Sequence, residues 1–213
     1  MKKILIWGAS GHALVVADIL KLRGEYEIVG FMDDVGEGTA DEFNGLPVFH
    51  GREKLIELYR ESVHYVIIAF GQCAARLKAA DFARSQGFKL ATAVHPMAII
   101  ADDVTIGEGT VIAAGAVVNP AARIGANVII NTSASVDHEV VIADGAHICP
   151  GVRLAGRVFV GEGAWVGIGS SVVDRVKIGN GAFIGAGSVV VDDIPSDSLA
   201  YGVPAKVKER VKP

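Results

Sequence analysis

The sequence predicts a chain in two parts: a small α/β domain with a parallel, Rossmann-like sheet, followed by a left-handed parallel β-helix. Three observations predict it. Short apolar runs alternate with amphipathic stretches up to about residue 94. The dipeptide His95-Pro96 then interrupts the pattern. After it the hydrophobic period becomes six, and it holds that phase to residue 190 without a skip.

In the first part, the runs Ile4–Trp7, Ile28–Met32, Tyr65–Phe70 and Lys89–Val94 read as buried parallel strands, each closed by Gly, Asp or His. The segments His12–Arg23, Arg52–Glu61 and Ala74–Ser85 between them read as helices. The order β-α-β-α-β-α-β implies a parallel sheet with right-handed crossovers. The Gly- and acid-rich stretch Val35–Gly45 reads as a mobile loop. Met1-Lys2-Lys3 before Ile4–Trp7 imitates a secretory leader. The apolar run breaks at once at Gly8-Ala9-Ser10-Gly11-His12, so a buried strand is expected there instead. Pro96 cannot extend a central strand and marks the boundary, giving domains 1–94 and 95–213.

In the second part, counting by sixes from Ile100 meets an aliphatic residue at every step: Ile106, Ile112, Val118, Ile124, Ile130, Val136, and so on to Ile184 and Val190. Four residues after each stands a small or β-branched residue, such as Val128, Ala134, Ala146 or Ser170. This is the hexapeptide repeat of a parallel β-helix. Three hexapeptides close one triangular coil, the aliphatic side chains stack inside, and the small ones fit near the corners. Gly107, Gly125, Asn131, Gly161, Gly167, Gly179 and Gly185, just after the aliphatic position, are expected to supply the backbone angles of tight corners. A helix is excluded, because its period is 3.6 and it would not accept this much Gly and Val. An open prism needs caps and partners. The first domain and the tail after Asp192 can cover its ends, and its faces invite a threefold homo-oligomer.

Composition narrows the function classes. With 51% hydrophobic and 21% charged residues the chain is built to fold. A net charge of −4 without a basic run argues against nucleic acid. No stretch is long and apolar enough to span a membrane. Cys73 and Cys149 fit neither a metal spacing nor a disulfide framework and suit a reducing cytoplasm.

Two places carry chemistry. His138-Glu139 occupies turn positions after inward Val136, so both side chains project at a corner. An imidazole there is either an idle surface group or a general base steadied by its neighbouring carboxylate. His147 lies nine residues on, half a coil away, so the two histidines leave one prism on opposite sides and meet only across a subunit interface. A three-histidine zinc site of the γ-carbonic anhydrase kind would need a third ligand from His95 or a carboxylate. In the first domain Gly8-Ala9-Ser10-Gly11-His12, Asp33-Asp34 and Gly71 converge on the carboxyl edge of the sheet, where a nucleotide could sit or where tight turns alone could explain them. The third glycine of a dinucleotide fingerprint is missing. The basic tail residues Lys206, Lys208, Arg210 and Lys212 could meet phosphates or simply be solvated.

These motifs together resemble the PglD/NeuD group of bacterial sugar O- and N-acetyltransferases. The resemblance rests on Gly8-Ala9-Ser10-Gly11-His12, Asp33-Asp34, Ile130-Asn131-Thr132-Ser133 leading to His138-Glu139, and Gly202-Val203-Pro204-Ala205-Lys206. It implies a cytoplasmic, trimeric, metal-free enzyme that acetylates the 4-amino group of a UDP-, GDP- or dTDP-linked sugar with acetyl-CoA. It implies His138 as general base with Glu139 in support. His147, Gly156, Ile168, Gly185 and Ala186 would line the acetyl-CoA groove, and Ser10, Gly11, His12, Asp33, Asp34 and Gly71 would hold the nucleotide-sugar. Ala13 departs from the group, in which Gly is frequent there. O-acetylation of sialic acid or another sugar and a non-catalytic nucleotide-sugar-binding trimeric scaffold are the alternatives.

Overall fold

The computed structural model describes residues 1–34 and 41–210. The chain divides into two compact units, Met1–Pro96 and Met97–Pro213.

The first unit runs β1 (Lys2–Trp7), α1 (Gly11–Arg23), β2 (Tyr26–Asp33), β3 (Glu42–Phe43), β4 (Leu46–His50), α2 (Glu53–Arg60), β5 (Tyr65–Ile68), α3 (Cys73–Ser85), β6 (Lys89–Leu90) and β7 (Ala93–Val94). The sheet order is β3-β4-β2-β1-β5-β6. All pairings are parallel except that of β3 with β4. The apolar run of β1 is central, and Ile4, Leu5, Ile6 and Trp7 are all buried. Helix α1 stops at Gly24, whose left-handed backbone turns its N–H back to the Leu20 carbonyl. One side of the sheet carries a core of Leu5, Trp7, Met32, Leu55, Ile68 and Ala79, with the Phe82 ring edge-on to Trp7 at 6.1 Å.

Two expectations need correction here. The run Lys89–Val94 is two short strands rather than one. The loop expected over Val35–Gly45 falls partly outside the described residues, at 35–40. Its remainder contains β3, because Asn44 (φ 52°) and Gly45 (φ 74°) form a two-residue left-handed turn that folds Phe43 back onto Leu46. An Asn-Gly pair is the strongest short hairpin signal in a sequence, and the Phe31–Phe43 ring contact at 4.9 Å fixes the hairpin against β2.

The second unit is the left-handed parallel β-helix. From Ile99 to Val190 the two-residue strands pair in parallel at an offset of eighteen residues, as Ile129-Ile130 does with His147-Ile148 and Ser135-Val136 with Arg153-Leu154. Three faces result. The first carries Val111–Ile112, Ile129–Ile130, His147–Ile148, Trp165–Val166 and Phe183–Ile184. The second runs from Ile99–Ile100 through Ser135–Val136 to Val189–Val190, and the third from Thr105–Ile106 through Val141–Ile142 to Lys177–Ile178. The aliphatic positions are buried from Ile112 to Val190, and the small positions from Thr110 to Ile194. The interior hydroxyls are satisfied by backbone: Thr110 Oγ1 donates to the Gly125 carbonyl (2.8 Å) and Ser170 Oγ to that of Gly185 (3.1 Å). Ser198–Gly202 continues the first face beside Phe183–Ile184, and Ala205–Arg210 folds back antiparallel on it.

The glycines after the aliphatic positions act differently from expectation. The left-handed backbone sits two residues later, where Ala121, Asn127, Ser133, Glu139, Arg157 and Arg175 adopt φ of 53–63°. Gly107, Gly125, Gly161 and Gly167 are needed because the next coil passes too close for a Cβ. One placed on Gly167 would meet the Ile184 carbonyl oxygen at 2.6 Å and Ala186 N at 2.7 Å.

Candidate active site

The side chains singled out in the sequence gather in three places. The first is the corner between the second and third faces of the prism. His138 and Glu139 are its turn residues, both about half exposed. His138 Nδ1 lies 3.0 Å from Glu139 Oε2. Arg157, one coil on, places Nη2 2.8 Å from the same oxygen. The Arg157 guanidinium first, and His138 second, hold the Glu139 carboxyl below the usual range. An ionised carboxylate only accepts, so the contact favours the tautomer that carries its proton on Nδ1, and in a neutral ring of that tautomer Nε2 keeps its lone pair. Asp137 accepts the His138 backbone N–H (2.7 Å) and Asn119 Nδ2–H (3.0 Å), and these bonds, in that order, depress its pKa too. The loop is thus braced from the coil below. From the coil above, Gly156 stands over the imidazole. A Cβ on it would lie 2.6 Å from both Cε1 and Nε2, so only glycine leaves that edge of the ring open.

The second place is on the opposite side of the prism, on the first face. His147 is only 5% exposed, because Trp165 on the next coil lies against it with ring centroids 4.2 Å apart. Phe183 then stacks on Trp165 at 5.6 Å, nearly parallel. Asn131 Nδ2 approaches His147 Nε2 at 3.3 Å. These four residues, Ile168, Ala186 and Cys149 line a groove of about 540 Å³. Gly185 lies beside it and is pressed against the tail, since its own Cβ would meet that of Tyr201 at 2.8 Å. In the tail Lys208 lies 5.1 Å over the Tyr201 ring and Lys206 pairs with Asp192 at 3.4 Å. Lys212 is outside the described residues.

The third place is a crevice of about 420 Å³ in the first unit, at the carboxyl edge of its sheet. Gly8 permits it: with φ at +132° and only 2.8 Å between a would-be Cβ and the Ala69 oxygen, no other residue turns the chain there so close to β5. Ser10, Asp33 and Asp34 form part of the walls, with Trp7, Met32, Phe70, Arg52 and Lys78. Gly11, His12 and Gly71 are not wall residues. Gly71 gives its carbonyl to the buried Arg76, whose Nη1 lies at 2.8 Å. His12 packs near the same guanidinium; burial first, and Arg76 second, push its pKa down to about 4.

Sequence reasoning missed Asp137, Arg157, Trp165, Trp7 and Arg52. The first three were accessible in principle, because Asp137 precedes His138 in the chain and Arg157 and Trp165 each stand one coil of eighteen residues from a residue already chosen, Glu139 and His147. Trp7 and Arg52 meet only through the sheet. Among the described residues no three His, Cys, Asp or Glu side chains gather as a metal site, and no helix is long and apolar enough to cross a membrane.

Residues 3–82 match the PglD N-terminal domain family and residues 157–192 the bacterial transferase hexapeptide family of six repeats. Over 119 residues the chain is 36% identical to UDP-N-acetylbacillosamine N-acetyltransferase of Bacillus subtilis (strain 168), covering 54% of this chain and 52% of that one. The match therefore spans about half the length of that curated relative. PerB from Caulobacter crescentus, solved in complex with CoA and GDP-perosamine, is 38% identical with a TM-score of 0.92, over 97% of both chains. A perosamine N-acetyltransferase from Caulobacter crescentus, also 38% identical and with a TM-score of 0.93, was solved with one histidine changed to asparagine or to alanine. The acetyltransferase domain of PglB from Neisseria gonorrhoeae FA1090, in complex with acetyl coenzyme A, is 36% identical with a TM-score of 0.89, over 97% of this chain and 99% of that one.

Proposed function

Because the chain belongs to the PglD/NeuD-like family of hexapeptide-repeat sugar acetyltransferases, we propose that it moves an acetyl group from acetyl-CoA to the 4-amino group of a nucleotide-linked sugar. The observation that carries the mechanism is the state of His138. Its Nδ1 faces an ionised Glu139, and its Nε2 edge is kept open by Gly156. That is the arrangement of a general base.

In the proposed reaction the sugar amine attacks the thioester carbonyl. A C–N bond forms, the C–S bond breaks, and the amine proton passes to His138 Nε2 and on to the departing thiolate of CoA. Glu139 steadies the imidazolium that forms in between. The backbone N–H of Gly156 is the candidate donor to the developing oxyanion. Alignment of two bound substrates supplies the rest of the rate, so no acyl-enzyme is required. The groove of His147, Trp165, Ile168 and Ala186 is assigned to acetyl-CoA. The crevice of Ser10, Asp33 and Asp34, with Gly11, His12 and Gly71 behind it, is assigned to the nucleotide-sugar. Because the corner of His138 and the face of His147 lie on opposite sides of one prism, a complete site takes one from each of two neighbours in a homotrimer. We place the enzyme in the cytoplasm, where acetyl-CoA and nucleotide-sugars are made.

The test is thiol release from acetyl-CoA with a panel of UDP-, GDP- and dTDP-linked 4-amino sugars. His138→Ala is expected to lower turnover about a hundredfold or more with the oligomer intact. Full activity in that variant removes His138 from the role. Release without any amino sugar in the panel being consumed removes the acceptor class.

A further inference from the structure

The crevice in the first unit contains a cation that the sequence did not single out. Arg52 stands at the start of α2, past the end of β4, and forms part of the crevice wall. Its Nε donates to Asp34 Oδ2 at 2.7 Å. The other oxygen of Asp34 accepts the Trp7 indole N–H at 2.9 Å. Asp34 is only 10% exposed, so its carboxylate is occupied on both sides within the protein. The guanidinium also lies over two rings, 5.5 Å from the centroid of Trp7 and 5.1 Å from that of Phe82. An ion pair and two aromatic faces thus fix the plane of Arg52, while its side chain as a whole stays half exposed. Among the described residues its two terminal nitrogens make no hydrogen bond.

A fixed guanidinium with its terminal N–H groups at a crevice wall recognises paired or single oxygen acceptors. Phosphate and nucleobase oxygens both qualify, and position decides between them. In open parallel sheets the phosphates of a nucleotide sit at the N-terminus of the helix after the first strand, and the ribose and base extend past the second strand. Here the first of these places is the Ser10–Gly11 turn. Arg52 lies at the second, bound to Asp34 just past the end of β2, and its neighbours there are the apolar side chains of Trp7 and Met32.

We propose that Arg52 reads the base of the nucleotide-sugar: its terminal N–H groups donate to a keto oxygen, so the crevice takes uracil, thymine or guanine and discriminates against adenine, which has none. In this scheme Asp34 is a positioning residue that holds Arg52 and Trp7 together. The inference rests on the proposed nucleotide-sugar site.

The experiment is calorimetric titration of the full chain with UDP, dTDP, GDP and ADP. The unsubstituted protein is expected to bind at least one of the first three about tenfold or more tightly than ADP, the scale of one well-made contact to a base edge. In Arg52→Met, which keeps the apolar stem over the rings, that preference collapses about tenfold while the ADP affinity moves less than twofold. Asp34→Asn, which loosens the fork, gives the same selective loss. Should Arg52→Met melt below the assay temperature, Arg52→Lys carries the test, since it keeps the charge and loses only the planar fork. Equal weakening of ADP and the keto nucleotides makes Arg52 a phosphate contact and overturns the proposal. So does an unchanged preference. If the unsubstituted protein binds none of the four, the nucleotide-sugar reading itself fails, which is a different result from either.

Discussion

Gly156→Ala separates the proposed chemistry from the fold more sharply than removal of the histidine does. The backbone of Gly156 lies outside the left-handed region, so alanine meets no conformational penalty there. What the new methyl group meets is the imidazole of His138, at 2.6 Å from Cε1 and Nε2. Non-bonded carbon contacts relax at about 3.5 Å. The ring must therefore retreat by about 0.9 Å, or swing outward, which the half-exposed side chain can do. Its Nδ1 bond to Glu139, 3.0 Å in length, loses its alignment when the ring swings. A displacement of about 1 Å in a reacting group costs roughly a hundredfold in rate. The expectation is a fall in kcat of about a hundredfold, with a change in unfolding free energy below about 1 kcal/mol because the clash is relieved into solvent. Steady-state thiol release and a urea titration measure the two quantities side by side. A variant that turns over within twofold of the parent would falsify the placement of the reacting atoms at the Nε2 edge of His138.

Three further expectations follow from the same structure. Arg157→Met removes the guanidinium that does most to hold the Glu139 carboxyl below the ordinary range, so in the variant that carboxyl titrates at higher pH, as followed by NMR of its side-chain carbon; an unmoved carboxyl titration rejects the coupling. His12 titrates at about 4 in the folded chain against 6.5 when unfolded. Between those values the unfolded state binds the extra proton, so stability is intact above pH 6.5 and is lost as pH falls toward 4, by at most about 3 kcal/mol. Denaturation at pH 7 and pH 5 should show that loss, and His12→Gln should remove it. Gly167→Ala and Gly169→Ala should differ in kind. The first drives a methyl into the backbone of the next coil and is expected to cost about 3 kcal/mol or more. The second has open space and only its φ of +68° to overcome, about 1–2 kcal/mol. A larger loss in Gly169→Ala by urea midpoint contradicts the packing argument.

The fold was legible to the extent that it is written in a fixed period. A strict count of six requires nothing beyond the positions of Ile, Val and Leu, and every counted residue from Ile112 to Val190 does face inward. The reason for the glycines was not legible, because a coil's distance from its neighbour is a property of two segments. A sequence shows that Gly167 is small, but not that Ile184 and Ala186 lie across from it. The hairpin at Asn44-Gly45 carried a local signal that the surrounding acid- and Gly-rich composition obscured. At the site, the offset of nine between His138 and His147 already implied opposite sides. The burial of His147 did not follow, since it depends on Trp165 and Phe183 stacking over it. Arg52 was read only as the first residue of a helix. Its partners Trp7, Asp34 and Phe82 lie in β1, just past β2 and in α3, and no spacing along the chain links them.

The contacts at the His138 corner share one arithmetic. Asn119 meets Asp137, Gly156 meets His138 and Arg157 meets Glu139, each pair eighteen residues apart. Three successive coils therefore supply the brace, the working pair and the ceiling, at the same turn positions of one edge. The β-helix register that closes the apolar core is thus the register that builds this corner. A side chain exchanged at a turn position changes chemistry without disturbing the aliphatic stack, because turn residues point out while Val136 and Leu154 point in. An insertion of one residue between 139 and 156 has the opposite character. It shifts every later aliphatic residue out of phase and also moves Gly156 and Arg157 off the imidazole and the carboxylate. Core and site at this corner thus stand or fall on a single periodic constraint. The crevice of the first unit is free of that constraint, and its contacts follow no fixed spacing along the chain.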